Sequence, residues 1–193
     1  TVSCSPPINV DRRTFEANLL NCVIATSLTL QGEEPLHSTV IDIGGTAIGL
    51  LGHSGAGKST LAAFLISQGF DLVTDDMLRA EFVADGLVAQ PGPYRLKLLD
   101  EPGRLLLPEA FADGHFNSLS GKIMMRPKPG ARRSAGPLPL AALYFIGDLP
   151  GRPEANAVES FLLTGVELVR VIWSCAMDDR NTSTERLARQ LTF

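Results

Sequence analysis

The feature that most constrains this chain is an eight-residue glycine-rich run that fits the pattern G-x-x-x-x-G-K-[ST], from Gly52 to Ser59. A β-rich run, Thr46 to Leu51, precedes it, and a helical pattern from Thr60 to Gln68 follows it, with Leu61, Phe64 and Leu65 on the expected buried face. Glycines allow successive backbone N–H groups to face a phosphate, and the helix N-terminus adds a favourable partial charge. The run therefore predicts an α/β fold with a phosphate-binding loop, named the P-loop below.

The P-loop indicates a bound nucleoside triphosphate, and we expect ATP and Mg²⁺ as cofactors. In this motif the lysine, Lys58, reaches the β- and γ-phosphates, and the hydroxyl of Ser59 binds Mg²⁺. The residues predicted to contact the nucleotide are Gly52, His53, Ser54, Gly55, Ala56, Gly57, Lys58, Ser59 and Thr60. Two classes of P-loop protein are excluded. GTPases carry an N-K-x-D motif that the chain lacks, and transporter ATPases need a longer signature than Leu119-Ser120-Gly121.

Two further features flank the P-loop in the sequence, one before it and one after it. Two β-rich runs, 36–43 and 46–51, are separated by Gly44-Gly45, which predicts a tight hairpin because such turns require positive φ. After the P-loop helix, a short strand over 70–74 ends at Asp75-Asp76, where open α/β sheets place their ligands. One carboxylate can orient Mg²⁺ while the other accepts a proton from an attacking hydroxyl. A solvated turn or a helix cap is the alternative for this pair.

The sequence as a whole predicts one domain over 1–193, with residues 1–35 as an N-terminal helix and strand extension. Its helix spans 11–31, with Thr26–Leu30 turning extended. The Pro-rich segment 127–139 is expected to be a mobile loop. Further strands are expected at 95–99, 122–126 and 141–146, and further helices at 155–164 and 182–191, the last capped by Thr182 or Ser183.

The amino-acid composition limits the classes of partner that the protein is expected to bind. Seventeen basic and 21 acidic side chains give a net charge of −4 without a basic block, which does not favour nucleic-acid binding. No apolar run reaches the roughly 18–20 residues of a membrane span, and the first residues do not have the order of a signal peptide. The three cysteines have no disulfide or zinc spacing. We expect a cytoplasmic protein with no membrane partner.

From Leu36 to Asp76 the chain resembles the C-terminal catalytic domain of HPr kinase/phosphorylase. The order of a histidine, a hairpin, a P-loop, a helix ending at glycine and an Asp-Asp pair carries this resemblance. It implies an α/β fold with the P-loop in a mixed sheet of the HPr kinase and phosphoenolpyruvate carboxykinase type, with flanking helices. It also implies that His37 is the active-site histidine, Asp76 the base and Asp75 a metal neighbour beside Ser59. The related family forms hexamers, so a homo-oligomer is compatible with this resemblance.

Two differences distinguish the chain from that family. The L-L-E-I-R-G-like signature is replaced by Gln90–Leu98, and no acidic residue follows Lys58-Ser59-Thr60. Most of the chain looks more like HPr-kinase-related serine kinases of lasso-peptide gene clusters, which phosphorylate the C-terminal serine of a precursor peptide. The resembling runs are P-G-x-Y-R-L-K-L, Gly121-Lys122 and 137–144. This likeness implies a serine kinase acting on a peptide or small protein.

The second half of the chain has to supply specificity for the acceptor, because a P-loop does not. A strand at 95–98 would place Arg95 and Lys97 on one face, suited to an acidic group near the target serine. Two alternatives stay open: a small-molecule kinase of the shikimate or gluconate kinase type, and a non-catalytic nucleotide-binding module. GTP or pyrophosphate as donor, and a reverse phosphorylase activity, also stay open. The predicted phosphate or acceptor contacts are Arg95, Lys97, Lys122, Arg132 and Arg133.

Overall fold

A mixed arrangement of helices and strands is found in the computed structural model, which describes residues 4–5, 8–127, 136–147, 158–177 and 183–190. The side chains of residues 20–22, 187, 189 and 190 lie outside this description. The helices are α1 Arg12–Leu30, α2 Lys58–Ser67, α3 Asp100–Leu106, α4 Pro108–Ala112, α5 Gly165–Ser174 and α6 Thr184–Gln190. The strands are β1 Ser38–Asp42, β2 Ala47–Leu51, β3 Asp71–Thr74, β4 Arg79–Val83, β5 Gly86–Gln90, β6 Leu96–Leu98, β7 His115–Asn117, β8 Lys122–Met125 and β9 Leu138–Phe145.

The strands form two sheets. The larger sheet has the strand order β3-β1-β2-β9-β5-β4, and the smaller one has the order β6-β8-β7. In the larger sheet β2 and β9 are parallel, whereas the other pairs are antiparallel. The chain therefore has an α/β fold with a mixed sheet, as the sequence predicted.

The hairpin that leads into the P-loop is confirmed. Strand β1 pairs with β2 in antiparallel register, from Ser38 opposite Leu51 to Asp42 opposite Ala47. Gly44 and Gly45 have φ values of 65° and 90°, which side chains with a Cβ rarely adopt. A side-chain oxygen of Asp42 accepts a hydrogen bond of 2.7 Å from the Gly45 amide. These contacts close the turn and direct β2 toward the P-loop.

Both faces of the hairpin strands β1 and β2 are largely buried. Val40 belongs to an apolar cluster that includes Val171 of α5, whereas its neighbour Ile41 belongs to a second cluster with Ala62 of α2 and Leu96 of β6. Successive side chains of a strand point to opposite faces, so α5 covers one face while α2 and the smaller sheet cover the other. The P-loop therefore joins a strand and a helix that are both packed into the core.

Helix α1 differs from its prediction at its C-terminal end. It stays helical to Leu30, so the expected extended stretch Thr26–Leu30 is wrong. The hydroxyls of Ser27 and Thr29 donate to the carbonyls of Val23 and Ala25 one turn earlier, which satisfies these polar groups within the helix. Among the described side chains of this helix, the fully buried ones are small or carry a hydroxyl, and they are Thr14, Ala17, Ala25 and Thr29.

The remaining elements confirm some predictions and correct others. The strands expected near 95–99, 122–126 and 141–146 correspond to β6, β8 and β9. Residues 158–164 are not helical, so the helix expected at 155–164 is wrong in its described part. The Pro-rich loop ends earlier than expected because Leu138 and Pro139 belong to β9, and residues 128–135 lie outside the described part.

The C-terminal helix is confirmed and is tied to the start of the fold. The hydroxyl of Ser183 accepts a hydrogen bond from the Arg186 amide, as expected of a capping residue. The guanidinium of Arg186 then donates through Nε to Oε2 of Glu34 at 2.9 Å, across 152 positions of sequence. Both side chains are buried, with 2% and 5% exposed. Across the residues that the structure describes, no helix is long and apolar enough to span a membrane.

Candidate active site

The P-loop connects the end of β2 to the start of α2. Gly57 occupies the N-cap position of α2 with a φ of 92°, and no side chain caps this end of the helix. The first amides of α2 therefore remain available to an anion. At the other end of the loop, a Cβ on Gly52 would lie 2.5 Å from the carbonyl oxygen of Ile146. This contact explains why a glycine is needed at position 52.

Lys58 lies within the loop rather than in solvent. Its ammonium donates to the carbonyl oxygens of Gly52, at 2.7 Å, and His53, at 3.1 Å. The residue is 6% exposed, and burial lowers the pKa of the ammonium from its ordinary value. His53 itself is exposed, and its ring packs edge-on against Phe145. The loop carbonyls therefore hold Lys58 at the place where the motif requires a positive charge.

Asp75 is the centre of a hydrogen-bond network that joins three elements. Its Oδ1 accepts from the hydroxyl of Thr39 in β1 at 2.6 Å and from the hydroxyl of Ser59 in α2 at 3.3 Å. Its Oδ2 accepts from the backbone amide of Lys97 in β6 at 3.1 Å. Burial, reinforced by the neighbouring charge of Asp76, raises the pKa of Asp75 to about 6. The carboxylate is thus fixed against the hydroxyl that the P-loop motif assigns to metal binding.

Asp76 has an unusual backbone and a close charged partner. Its φ is 71°, in the left-handed region that Asp and Asn tolerate better than most residues. Its Oδ2 lies 2.6 Å from the ammonium of Lys97, and the two side chains are 16% and 7% exposed. The left-handed turn therefore directs the second carboxylate toward β6 while Asp75 remains in the core.

His37 lies beside Asp76. Its Nδ1 is 3.0 Å from the Asp76 carbonyl oxygen. A carbonyl oxygen can only accept, so Nδ1 carries the proton and Nε2 has the free lone pair of the neutral ring. Burial, assisted by the positive charge of Lys58, lowers the pKa of His37, which favours this neutral form. The histidine is therefore a neutral polar group next to the Asp-Asp pair.

These side chains share one cleft with a volume of about 290 Å³. It brings His37, Asp75 and Asp76 together with six of the predicted P-loop residues, which are Ser54, Gly55, Gly57, Lys58, Ser59 and Thr60. The predicted contacts Gly52, His53 and Ala56 do not line it. Three further polar residues also line it: Asn18 of α1, Ser120 of the turn before β8, and Thr39 of β1. None of the three belongs to a motif, so the sequence offered no signal for them.

The predicted phosphate or acceptor contacts are separated by the structure. Lys97 and Lys122 line the cleft, but Lys97 is paired with Asp76. Arg95 donates to the carbonyl oxygen of Ala17 at 3.0 Å and supports α1. Arg132 and Arg133 lie outside the described residues. Arg95, directly before β6, and Lys97 within it are thus both engaged inside the protein, which differs from the free pair that the two-residue period predicted.

The donor set near Ser59 fits a magnesium ion. A serine hydroxyl and one carboxylate are hard oxygen ligands, and Mg²⁺ in kinase sites uses one or two protein oxygens plus phosphates and water. Among the described residues, no group of three or more His, Cys, Asp or Glu side chains could hold a metal by itself. The residues that would hold Mg²⁺ together with a nucleotide are Ser59 and Asp75.

Comparisons with known proteins match the part of the chain that holds most of the cleft's lining. Residues 29–101 match the family described as the HPr Serine kinase C-terminal domain. That segment carries the hairpin, the P-loop, both aspartates and β6. Asn18, Ser120 and Lys122 lie outside it. The similarity thus covers the phosphate side of the cleft.

Curated relatives also match part of the chain. The chain is 38% identical over 87 residues to the HPr kinase/phosphorylase of Lachnoclostridium phytofermentans, covering 45% of this chain and 28% of the relative. It is 40% identical over 62 residues to the enzyme of that name from Aromatoleum aromaticum, covering 32% and 20%. The matches therefore span less than a third of these relatives' length. A structure of the Hpr(Ser) kinase/phosphatase from Coxiella burnetii aligns with a TM-score of 0.40 and 15% identity, over 63% of this chain and 71% of that one.

Proposed function

We propose that this chain is an ATP- and Mg²⁺-dependent kinase that phosphorylates a serine hydroxyl of a peptide or small protein. The observation that carries the proposal is the contact between Asp75 and Ser59, which joins the Asp-Asp pair to the P-loop. Asp76 and Lys58 line the same cleft. A phosphoryl transferase needs a phosphate cradle, a metal site and a base in this proximity. The names of the relatives support the same activity.

In this proposal the protein positions the triphosphate and neutralises its charge. The amides at the start of α2 and the ammonium of Lys58 bind phosphate oxygens, and Lys58 exchanges its loop carbonyls for them. Ser59 and Asp75 would hold the metal, which would supply positive charge to the transferring phosphate when bound. Asp75 is held by Thr39, Ser59 and the Lys97 amide before the nucleotide arrives, and such preorganisation reduces the cost of reaching the transition state.

Asp76 would act as the base. The serine oxygen forms a bond to the γ-phosphorus, the bond from that phosphorus to the oxygen of the ADP leaving group breaks, and Asp76 takes the serine proton. The Lys97 ammonium at 2.6 Å holds this carboxylate at the cleft that both residues line. His37 contacts the Asp76 backbone and fixes the turn that presents this carboxylate.

The acceptor would enter from the side of the cleft that the family match does not cover. There Lys122, Asn18 and Ser120 offer one cation and two polar groups. A serine that ends a peptide carries a carboxylate close to its hydroxyl, and Lys122 is the cation suited to it. This supports a C-terminal serine as the target, as in a lasso-peptide precursor.

Labelled ATP with a panel of acceptors, analysed by mass spectrometry, tests this function. The panel contains peptides ending in serine as free acids and as amides, HPr protein, and small alcohols including shikimate and gluconate. We expect transfer to the free-acid peptide, loss of transfer in Lys58→Ala, and a raised peptide KM with an unchanged ATP KM in Lys122→Ala. Transfer only to small alcohols would make the chain a small-molecule kinase. ATP binding without any turnover would make it a nucleotide-binding module.

A further inference from the structure

An apolar groove lies on the outer side of the P-loop helix. It runs between α2 and α3 and has a volume of about 570 Å³. Leu61 and Phe64 of α2 form one wall, and Leu105 and Leu106 of α3 form the other. The sequence predicted Leu61 and Phe64 to be buried, but they are 39% and 47% exposed. Leu105 is 77% exposed. Large apolar side chains grouped at the surface mark a binding site more often than chance exposure does.

The groove is continuous with the phosphate cleft. Gly57 and Thr60 line both. Asp75, Asp76, His37 and Lys97 line the cleft but not the groove. The metal-binding and acceptor groups thus lie at one side of the P-loop, and the groove opens at the other.

This arrangement sets the direction of a bound triphosphate. Its γ-phosphate belongs near Ser59 and Asp75, and the backbone of a P-loop holds the α- and β-phosphates. Thr60 directly follows Ser59 and forms the common wall with the groove. The α-phosphate and whatever is attached to it therefore leave the P-loop toward Leu61 and Phe64.

We propose that the groove between α2 and α3 binds the base and ribose of the nucleotide, an inference that rests on the proposed function. Phe64 offers an aromatic ring for stacking on a base, and the leucines offer apolar contact. Glu101 at the groove supplies a carboxylate that can accept a hydrogen bond from a ribose hydroxyl or an exocyclic amine. The volume lies in the range of small-molecule sites.

A second apolar cavity in the described residues provides a comparison. It has a volume of about 540 Å³, lies between β9 and α5, and includes Phe161 and Leu162. Its volume is similar to that of the groove, but it shares no lining residue with the phosphate cleft. A base bound there would have no continuous path to the P-loop. Leu162, with 87% exposed, is thus a matched control for Leu105.

The test measures binding of Mg·ATP and of magnesium tripolyphosphate by calorimetry. Tripolyphosphate carries the three phosphates without base or ribose. We expect Leu105→Asn and Phe64→Ala each to weaken ATP binding about ten-fold, the scale of losing a stacked or apolar contact, and to leave tripolyphosphate affinity within two-fold. Leu162→Asn should change neither. The substitutions are neutral, so they add no charge near the phosphates.

Three outcomes would overturn the inference. They are unchanged ATP affinity in both groove variants, an equal loss for ATP and tripolyphosphate, and a change of oligomeric state in chromatography with ATP affinity intact. The last would show that the groove joins two copies of the chain.

The variant Lys58→Ala distinguishes a failure of the groove proposal from a failure of the proposed kinase function. If Lys58→Ala no longer binds ATP or tripolyphosphate while the groove variants bind ATP normally, the P-loop binds the phosphates as proposed and the groove does not bind the base. If Lys58→Ala binds both ATP and tripolyphosphate as tightly as the wild type, the proposed function itself is wrong.

Discussion

The ammonium of Lys97 lies 2.6 Å from a carboxylate oxygen of Asp76, and only 7% and 16% of the two side chains are exposed. This ion pair joins β6 to the turn after β3. In the proposed function Asp76 is also the base, so one carboxylate serves both the reaction and the packing of two elements. Experiments on Asp76 must therefore separate its two contributions.

Asp76→Asn is expected to reduce phosphoryl transfer by roughly 10²–10⁴, the usual scale for a lost general base. Nucleotide affinity should stay within a few-fold. The free energy of unfolding should fall by on the order of 2 kcal/mol, because Lys97 loses its counter-charge but keeps an amide oxygen as acceptor. Steady-state kinetics and denaturant unfolding measure the two effects.

The double variant Asp76→Asn/Lys97→Met distinguishes these effects. Methionine has a similar length without the charge, so most of the lost stability should return. Transfer should stay as low as in the single variant. If transfer recovers together with stability, Asp76 is a structural partner of Lys97 and another group is the base.

The backbone at Asp76 predicts a difference between two further substitutions. With a φ of 71°, alanine at this position is strained, whereas glycine is not. Both lose the carboxylate, so Asp76→Gly should be more stable than Asp76→Ala by about 1 kcal/mol in denaturant unfolding. Equal stabilities would mean that the turn relaxes to a negative φ.

Lys58→Ala should abolish transfer and weaken nucleotide binding while the fold is retained. The side chain contacts only loop carbonyls among its hydrogen-bond partners, and those carbonyls lie near the open cleft where water can replace the ammonium. Circular dichroism should match the wild type. Turnover near the wild-type value would show that nucleotide binds elsewhere.

The Mg²⁺ concentration that the reaction requires should depend on pH through the protonation of Asp75. With the pKa of Asp75 raised to about 6, a proton competes with the metal below that pH. Magnesium titrations of the transfer rate should show a half-saturating concentration that rises toward ten-fold per pH unit below about 6. Asp75→Asn should require at least ten-fold more Mg²⁺ at pH 7 and lose this pH dependence. A wild-type Mg²⁺ requirement in that variant would exclude Asp75 as a ligand.

The burial of His37 leads to a separate prediction about how the free energy of unfolding depends on pH. Its pKa is lowered in the folded protein, so as pH falls below about 6.5 the unfolded chain takes up a proton first. Stability relative to His37→Gln should therefore be fully present above pH 6.5 and decrease as the pH falls toward the lowered value. Urea unfolding of both proteins between pH 5 and 8 measures the difference, and a constant difference would contradict a buried neutral ring.

Local signals predicted the hairpin and the strand that flank the P-loop. The Gly-Gly turn, the P-loop and the strand before Asp75 each depend on residues adjacent in the chain. The hairpin of β4 and β5 was missed, although Asp85-Gly86 is a turn sequence, because β4 has mostly exposed side chains and lacks clear alternation.

The other side of the cleft required tertiary information. The burial of Lys97, the position of Asn18 and the exposure of Phe64 depend on how β6, α1 and α3 pack. No pattern within a single segment encodes such contacts.

The ion pair between Glu34 and Arg186 has a consequence for how a new chain matures. The residues are separated by 152 positions, so at a synthesis rate of about 5–20 residues per second Glu34 waits roughly 8–30 s for its partner to be made. During that interval the Glu34 carboxylate lacks the Arg186 guanidinium. The P-loop hairpin is synthesised early, but the ion pair that ties the start of the fold to its C-terminal helix can form only after α6 has been translated.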